Sequence, residues 1–236
     1  MLTEERHSMI IKAVNERASV TIAELAEMLD VSASTVKRDL IILANEGKII
    51  KVRGGAMSRN ESFTSVEKNV EEKASICTEE KMTIAKYAAE LIENGDFVFL
   101  DAGTTTEKMI DYLNVKDVTF VTNGFIHAKK LARKGYKVFI TGGEIKASTE
   151  AIVGAECILT LKNYNFTKCF MGTNGISLTA GFTTPDVNEA RVKSAAIESS
   201  REVYVLADHS KFDEVSSATF AGLGKAVIIT DRIPNR

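Results

Sequence analysis

The fold of the first part of the chain is decided by residues 20–40, Val20-Thr-Ile-Ala-Glu-Leu-Ala-Glu-Met-Leu-Asp-Val-Ser-Ala-Ser-Thr-Val-Lys-Arg-Asp-Leu40. Thr21 and Glu24 have the spacing of a capping box, which predicts the start of a helix. A short polar turn follows, and Ser32 can cap another helix. A helix around residues 9–14 precedes this stretch, and the basic hairpin Gly47-Lys-Ile-Ile-Lys-Val-Arg-Gly-Gly55 follows it. This order predicts a winged helix-turn-helix domain over residues 1–57.

The second helix of the pair should turn Val36, Leu40, Ile41 and Leu43 inward and its hydroxyl and cationic side chains outward. Helix spacing alone fits an ordinary small helical bundle equally well. Charge favours DNA binding, because residues 31–59 carry a net charge of +4 whereas residues 1–30 carry −3. The predicted DNA contacts are Thr21, Ser32, Ser34, Thr35, Lys37, Arg38, Lys48, Lys51 and Arg53.

The composition of the whole chain excludes several classes of protein. At 236 residues and a net charge of −2, the chain suits one large or two modest domains, and any DNA contact must be local. No apolar run approaches the roughly 20 residues of a membrane span. The N-terminus does not resemble a signal peptide, and Cys77, Cys157 and Cys169 form no Cys-x-x-Cys pair. We therefore expect a cytoplasmic protein with reduced thiols, no metal site, no cofactor and no membrane partner.

The chain becomes regular after a polar stretch, residues 58–74, that is predicted to be a linker with room for a short helix. Six short apolar runs follow, at residues 97–100, 118–121, 138–140, 169–171, 203–206 and 226–229. Helical stretches separate most of them, which is typical of strands covered on both faces of a mostly parallel sheet. Residues 75–236 are therefore predicted to form an α/β domain.

Polar or glycine-rich segments follow the apolar runs, at the carboxyl ends of the predicted strands, where open α/β sheets bind ligands. In Asp101-Ala-Gly-Thr-Thr-Thr106, Gly103 permits a tight turn, and Thr104 with Glu107 has capping-box spacing. The start of a helix with several hydroxyls suits a phosphate, although a capped turn without a ligand has the same pattern. Lys211 could add a positive charge or be an ordinary surface lysine. Together the loops favour a phosphorylated, polyhydroxylated ligand.

Both halves resemble one family, the DeoR-type transcriptional regulators. Val31-Ser-Ala-Ser-Thr-Val-Lys-Arg-Asp-Leu40 and Val52-Arg-Gly-Gly-Ala56 match its winged helix-turn-helix, and Asp101–Thr106, Gly172-Thr-Asn-Gly-Ile176 and Leu206-Ala-Asp-His-Ser-Lys-Phe212 match its effector domain. The family often has Ser where this chain has Gly124. The resemblance implies a repressor of carbohydrate-utilisation genes that is modulated by a phosphorylated sugar. Gly181-Phe-Thr-Thr-Pro185 is similar to the fructose-operon repressors, which implies fructose 1-phosphate.

The effector domain is also similar to ribose-5-phosphate isomerase, so an isomerase with a fused DNA-binding domain is the competing hypothesis. Such an enzyme needs a carboxylate base, yet its acidic loop corresponds here to Gly172–Gly175, and Lys193 falls about where the isomerase has a glutamate. A pocket that binds without turnover is therefore expected. The partners expected are operator DNA, the sugar phosphate and a second copy of the chain, because paired half-sites are the norm. The predicted effector-binding residues are Asp101, Gly103, Thr104, Thr105, Thr106, Asn123, Gly142, Gly143, Gly172, Asn174, Gly175, Glu189, Lys193, Asp208 and Lys211.

Overall fold

The computed structural model describes residues 2–17, 19–58, 62–64 and 67–233. They fall into two compact units, an N-terminal unit that ends at Glu61 and a C-terminal unit that begins at Ser62. No helix among the described residues is both long and apolar enough to cross a membrane.

The N-terminal unit is a small helical domain with a three-stranded antiparallel sheet in the order β1-β3-β2. Its elements are α1 (Thr3–Arg17), β1 (Ser19–Thr21), α2 (Ile22–Leu29), α3 (Ala33–Asn45), β2 (Ile49–Val52) and β3 (Gly55–Ser58). Val36, Leu40 and Leu43 of α3 are buried in the core. The prediction that Ile41 faces inward is wrong, since its side chain is 47% exposed. A residue one step beyond Leu40 lies about 100° further around the helix, outside the buried stripe.

The C-terminal unit is built on a six-stranded parallel sheet in the order β16-β13-β10-β5-β6-β7. Each of these six strands overlaps one of the six predicted apolar runs, and the predicted parallel sheet is confirmed. The strands of the unit are β4 (Ser62–Thr64), β5 (Phe97–Leu100), β6 (Thr119–Thr122), β7 (Lys137–Ile140), β8 (Glu144–Lys146), β9 (Ala151–Val153), β10 (Phe166–Gly172), β11 (Gly175–Ser177), β12 (Gly181–Thr184), β13 (Ser200–Leu206), β14 (Glu214–Ser216), β15 (Ala218–Ala221) and β16 (Val227–Ile229).

Helices cover both faces of the parallel sheet, as its apolar strands require. The helices of the unit are α4 (Val70–Ser75), α5 (Thr78–Glu90), α6 (Thr104–Met109), α7 (Phe125–Arg133), α8 (Ala155–Lys162) and α9 (Val187–Glu198). Successive residues of one strand enter opposite cores: Phe99 of β5 packs in the cluster that contains Leu161 of α8 and Val192 of α9, whereas Leu100 packs in the cluster that contains Ile84 of α5. Smaller sheets, β11-β12-β15, β8-β9 and β14-β4, flank this layered core.

The start of the C-terminal unit differs from the predicted linker over residues 58–74. Backbone of Ser62–Thr64 forms β4, which pairs in parallel with β14. Asn69 caps α4 in a reciprocal capping box with Glu72. Much of the stretch predicted as a linker therefore belongs to the C-terminal unit.

The order in which the chain adds strands to the parallel sheet reverses between the adjacent strands β5 and β10. The chain runs outward from β5 through β6 to β7, and later outward on the other side from β10 through β13 to β16. The loops after β5 and β10 therefore diverge and leave a crevice at the carboxyl edge. The fold thus positions residues 101–103 and 172–174 beside this crevice.

Candidate functional site

The predicted DNA-contacting residues of the N-terminal unit lie around the start of α3 and on the hairpin β2–β3. Ser32 is the N-cap of α3 and accepts a hydrogen bond from the backbone N–H of Thr35 at 3.2 Å. Thr21 caps α2 in the predicted capping box with Glu24. Ser34, Lys37 and Arg38 are exposed, and Thr35 is partly exposed. This placement leaves hydroxyls and two cations on the outer side of α3.

Asp39, on the same helix, does not face outward. Its side chain is buried and accepts two hydrogen bonds from Arg6 of α1, from Nε at 2.6 Å and from Nη2 at 3.0 Å, and lies 3.0 Å from Nε2 of His7. The hydrogen bond from Arg6 lowers the pKa of the Asp39 carboxyl. Because this carboxylate is neutralised by α1, the exposed face of α3 is cationic.

The hairpin carries further exposed cations, Lys51 and Arg53, whereas Lys48 forms an ion pair with Glu46 at 2.8 Å. Its turn depends on Gly54, whose φ of +94° is a conformation that other residues rarely adopt. Gly55 comes so close to β1 that a Cβ there would lie 2.3 Å from the carbonyl oxygen of Val20. The glycines therefore set the shape of the wing. Arg59, counted in the sequence-level charge, lies outside the described residues.

A cavity of about 440 Å³ opens at the carboxyl edge of the parallel sheet, where the strand order reverses. This volume is within the range of small-molecule sites. Of the predicted effector-binding residues, its walls contain Gly103, Thr104, Thr105, Gly172, Asn174, Glu189, Lys193, Asp208 and Lys211. Asp101, Thr106 and Asn123 are buried and do not line it. The sequence prediction and the cavity therefore overlap over most of the set.

Three predicted glycines lie away from the cavity, and two of them, Gly143 and Gly175, have conformational roles. Gly143 has a φ of +130°, and a Cβ there would lie 2.3 Å from the carbonyl oxygen of Val153. Its neighbour Gly142 does not line the cavity either. At Gly175 a Cβ would lie 2.2 Å from the carbonyl oxygen of Glu214. Gly143 and Gly175 therefore permit close approach of backbones.

Beneath the cavity, Asp101 and Lys193 form a buried ion pair that joins β5 to α9. Lys193 Nζ also donates to the carbonyl of Gly172 at 3.0 Å, and the N–H of Gly172 donates to Asp101 at 3.3 Å. Although burial alone would lower the pKa of Lys193, the carboxylates of Asp101 and Glu189 outweigh it and raise that pKa. The pair therefore holds the loop after β10 against the end of β5.

His127 supports the loop after β5, and sequence reasoning did not identify it. Its ring is buried, and Nε2 lies 3.1 Å from both the hydroxyl of Thr106 and the carbonyl of Gly103. Burial lowers its pKa to about 4, so the imidazole is neutral near pH 7. A Cβ at Gly124 would lie 2.4 Å from His127 Nδ1. The serine common in the family at this position does not fit beside His127 in its present place.

Lys81 of α5 is a second residue that sequence reasoning missed. It lines the cavity with its side chain buried, and its Nζ donates to the backbone carbonyl of Lys73. Burial lowers its pKa, although the nearby Asp208 opposes this effect and Lys211 adds to it. Its sequence position gave a signal, since Lys81 lies three and four residues before the buried Ile84 and Ala85, on the apolar face of α5.

The buried lysines of the described residues differ in their partners. Lys168 pairs with Asp96 at 2.8 Å, and Lys193 pairs with Asp101. Among the described residues, no carboxylate forms an ion pair with Lys81. Asp208, which faces both Lys81 and Lys211, already accepts a hydrogen bond from the N–H of Ser210 at 3.0 Å. One carboxylate between two lysines leaves an excess positive charge at this side of the cavity.

Glu189 lies on another wall and belongs to a charged network. It accepts hydrogen bonds from the hydroxyl of Thr149 at 2.7 Å and from Lys146 Nζ at 3.2 Å. Although burial alone raises the pKa of Glu189, Lys193 and the hydrogen bond from Thr149 lower it overall. Lys146 also pairs with Glu67 and, at 3.0 Å, with Asp186. Glu189 is therefore held as a carboxylate.

Within the described part of the chain, one group of side chains could hold a metal ion. Glu80, His209 and Asp231 offer ligand atoms within 4.8 Å of one another. His209 Nδ1 lies 2.9 Å from Asp231, which also accepts a hydrogen bond from the N–H of His209 at 2.8 Å. The three residues do not line the cavity. The hydrogen bonds alone explain the orientation of His209.

Comparisons with known proteins agree with both units. Residues 6–62 match the DeoR-like helix-turn-helix domain, and residues 76–232 match the DeoR C terminal sensor domain. The chain is 44% identical to the HTH-type transcriptional regulator FruR of Bacillus subtilis (98% of this chain, 91% of FruR). It is 36% identical to the lactose phosphotransferase system repressor of Staphylococcus epidermidis (96% of this chain, 91% of that one).

Among solved structures, ribose 5-phosphate isomerase A of Methanocaldococcus jannaschii is similar at a TM-score of 0.40 and 17% identity, over 56% of this chain and 53% of the isomerase. With matches that span both units and nearly the whole length, the chain belongs to the DeoR family of sugar-operon transcriptional regulators.

Proposed function

We propose that this protein represses a carbohydrate-utilisation operon and that a phosphorylated sugar bound in the cavity modulates its DNA binding. The observation that carries the proposal is Lys81, a buried cation on the cavity wall that forms no ion pair among the described residues and shares the nearby Asp208 with Lys211. Burying an unpaired charge is costly, so an anionic ligand would be bound where it neutralises Lys81 and Lys211. A phosphate monoester provides two negative charges and several acceptor oxygens for this purpose.

The remaining cavity walls suit the hydroxyls of a sugar. Asn174, Thr149 and Glu189 offer an amide, a hydroxyl and a carboxylate. Fructose 1-phosphate is the first ligand to test because of the sequence resemblance to fructose-operon repressors. The hairpin that carries this resemblance contacts the cavity only at its flanks, where Asn174 and Pro185 line the wall.

On the DNA side, we propose that α3 enters the major groove and that Lys37 and Arg38 contact phosphates or base edges. Ser32, Ser34 and Thr35 are placed to add hydrogen bonds, and Lys51 and Arg53 of the wing to hold the backbone. A homodimer or a higher homo-oligomer in the cytoplasm would present two such helices to paired half-sites.

A gel shift with DNA from upstream of the protein's own gene tests the function. We expect binding that weakens with salt and changes with one of fructose 1-phosphate, fructose 6-phosphate, glucose 6-phosphate and ribose 5-phosphate, but not with unphosphorylated fructose. Lys81→Met and Lys211→Met should abolish the response and spare DNA binding. Lys86→Met is the matched control, since Lys86 is exposed on the same helix as Lys81. An unchanged response in both cavity variants would refute this ligand assignment.

Isomerase activity is the competing function, and the state of Glu189 argues against it. A general base works best with a pKa near the operating pH, whereas Glu189 has its pKa lowered and its Oε1 engaged by Lys146 and Thr149. We therefore propose binding without turnover. Conversion of ribose 5-phosphate to the ketose by the purified protein would overturn this conclusion.

A further inference from the structure

The first segment of the C-terminal unit forms one wall of the cavity. Lys68, Val70, Lys73 and Ile76 line it. Upstream in the chain, β4 pairs with β14, and Glu214 and Ser216 of β14 line the cavity as well. The C-terminal unit begins at Ser62, directly after the N-terminal unit in sequence. A ligand in the cavity would therefore contact a segment that lies near the start of the C-terminal unit in sequence.

Residues 67–76 are attached to the unit by polar contacts rather than by a core. None of them belongs to a hydrophobic cluster, and α4 has no buried residue. The N–H of Val70 donates to the carbonyl of Ser148 at 3.1 Å. Lys73 Nζ pairs with Glu67 at 3.0 Å, while the carbonyl of Lys73 accepts from Lys81. Regions held by few apolar contacts open at low free-energy cost, so this segment can respond to a ligand.

Lys146 connects this segment to the cavity wall on the other side. It pairs with Glu67 of the segment, with Asp186 at 3.0 Å and with Glu189 at 3.2 Å. Burial alone would lower the pKa of Lys146, but these carboxylates outweigh it and raise that pKa, so the lysine stays charged. A ligand that engages Glu189 or Lys73 changes the partners of Lys146 and Glu67. Ligand contacts and segment contacts therefore share the same charged groups.

We propose that residues 67–76 transmit the presence of the sugar phosphate to the DNA-binding unit, with Glu67 and Lys146 as positioning residues that couple the segment to the cavity. The inference rests on the proposed function and specifies its regulation. The ion pair between Glu67 and Lys146 holds the segment against the cavity wall, so that a ligand contacting Lys68 and Lys73 orders it, and this order reaches the start of the unit. Neither Glu67 nor Lys146 lines the cavity, so ligand affinity and coupling can be separated.

Glu67→Gln in the full-length protein tests the inference. Promoter affinity is measured without ligand and with saturating fructose 1-phosphate, the other three sugar phosphates being used if that one has no effect. Allosteric coupling usually changes affinity 5–150-fold. We expect that in Glu67→Gln the ligand changes promoter affinity by less than about twofold. The ligand dissociation constant and the ligand-free promoter affinity should stay within about threefold of the wild-type values. Lys146→Met should do the same, and Lys146→Arg should retain the coupling.

Glu93→Gln is the matched control. This substitution removes one carboxylate partner of Lys168, whose ion pair with Asp96 remains. In the same way, Glu67→Gln removes one carboxylate partner of Lys146, whose ion pairs with Asp186 and Glu189 remain. Hydrogen exchange of peptides covering residues 67–76 gives a second readout. Ligand should slow exchange there in the wild type and in Glu93→Gln, but not in Glu67→Gln.

Two results would overturn the inference. One is full coupling in Glu67→Gln and Lys146→Met, and the other is equal ligand protection of residues 67–76 in the wild type and in Glu67→Gln. If wild-type DNA binding responds to none of the four sugar phosphates, the proposed function fails, and the inference fails with it. A wild-type response that Glu67→Gln retains refutes the coupling alone.

Discussion

Replacing Asp101 by Asn removes one charge of the buried pair and leaves Lys193 buried without its main partner. Asn has nearly the same shape as Asp and can still accept a hydrogen bond from the N–H of Gly172, so packing changes little. Lys193→Met removes the other charge, and Asp101 then keeps the hydrogen bond that it accepts from the N–H of Gly172 at 3.3 Å. Each single variant therefore isolates one uncompensated charge.

The expected magnitude follows from the burial of both groups, whose side chains are 2% and 6% exposed. Breaking a buried ion pair by removing one partner costs about 3–5 kcal/mol. For a protein of this size, each kcal/mol lowers Tm by roughly 2–4 °C. Asp101→Asn should lie near the lower end of this range, about 3 kcal/mol or 6–12 °C, because Glu189 still attracts Lys193.

The assay is thermal unfolding of the C-terminal unit without ligand, in the wild type, both single variants and the double variant Asp101→Asn/Lys193→Met. Removing both charges leaves no unpaired ion, so the double variant should be no less stable than either single one. That result corresponds to a coupling energy of several kcal/mol. Additive losses in the double variant, or single losses below about 1 kcal/mol, would refute the conclusion that this pair holds the loop after β10.

Three further predictions concern His127, Gly124 and α3. The pKa of His127 is about 4 in the folded protein, so the unfolded chain binds more protons between pH 6.5 and 4. Lowering the pH through this window should therefore reduce the free energy of unfolding by up to about 3 kcal/mol. Acid titrations should show a smaller reduction in His127→Gln. Gly124→Ser should destabilise the unit by about 1–3 kcal/mol in denaturant unfolding, and His127→Ala should relieve that loss in the double variant. Lys37→Ala/Arg38→Ala should lower the slope of log affinity against log salt by about 2 in promoter binding, whereas Lys129→Ala should not; an unchanged slope would place the phosphate contacts elsewhere.

The sheet and its ligand edge could be predicted because they depend on local patterns. Each of the six strands contains a run of apolar residues, and a polar segment such as Asp101–Thr106 marks its carboxyl end. Caps are equally local, and Thr21 and Glu24 make their predicted capping box within four residues. The capping box predicted for Thr104 and Glu107 is wrong, because Thr104 is the first residue of α6 and Gly103 is its N-cap, without a side-chain cap bond. Ile41 shows the limit of this approach: an apolar residue next to the buried stripe was assigned to the core, although its angle on the helix places it outside.

The missed residues depend on contacts between segments that are distant in sequence. Lys146 becomes informative only when Glu67, Asp186 and Glu189 meet around it, more than 35 residues away in each case. His127 acquires its role from Thr106, and no spacing rule connects the two. Gly143 was overestimated for the related reason that a glycine after a strand looks the same whether it approaches a ligand or another backbone.

The three buried lysines of the described residues differ in how far the chain compensates their charges. Lys168 and Lys193 have carboxylates of the chain beside them, so their charges are compensated whether or not a ligand is present. Lys81 donates a hydrogen bond to the carbonyl of Lys73 and shares the nearby Asp208 with Lys211. An anion in the cavity would therefore compensate a positive charge that the chain leaves partly unpaired. Ligand should therefore stabilise the C-terminal unit by RT ln(1 + [L]/Kd), about 2.7 kcal/mol at a hundredfold excess over Kd. Because Lys81 is bonded to the carbonyl of Lys73, compensation of its charge should also stabilise α4.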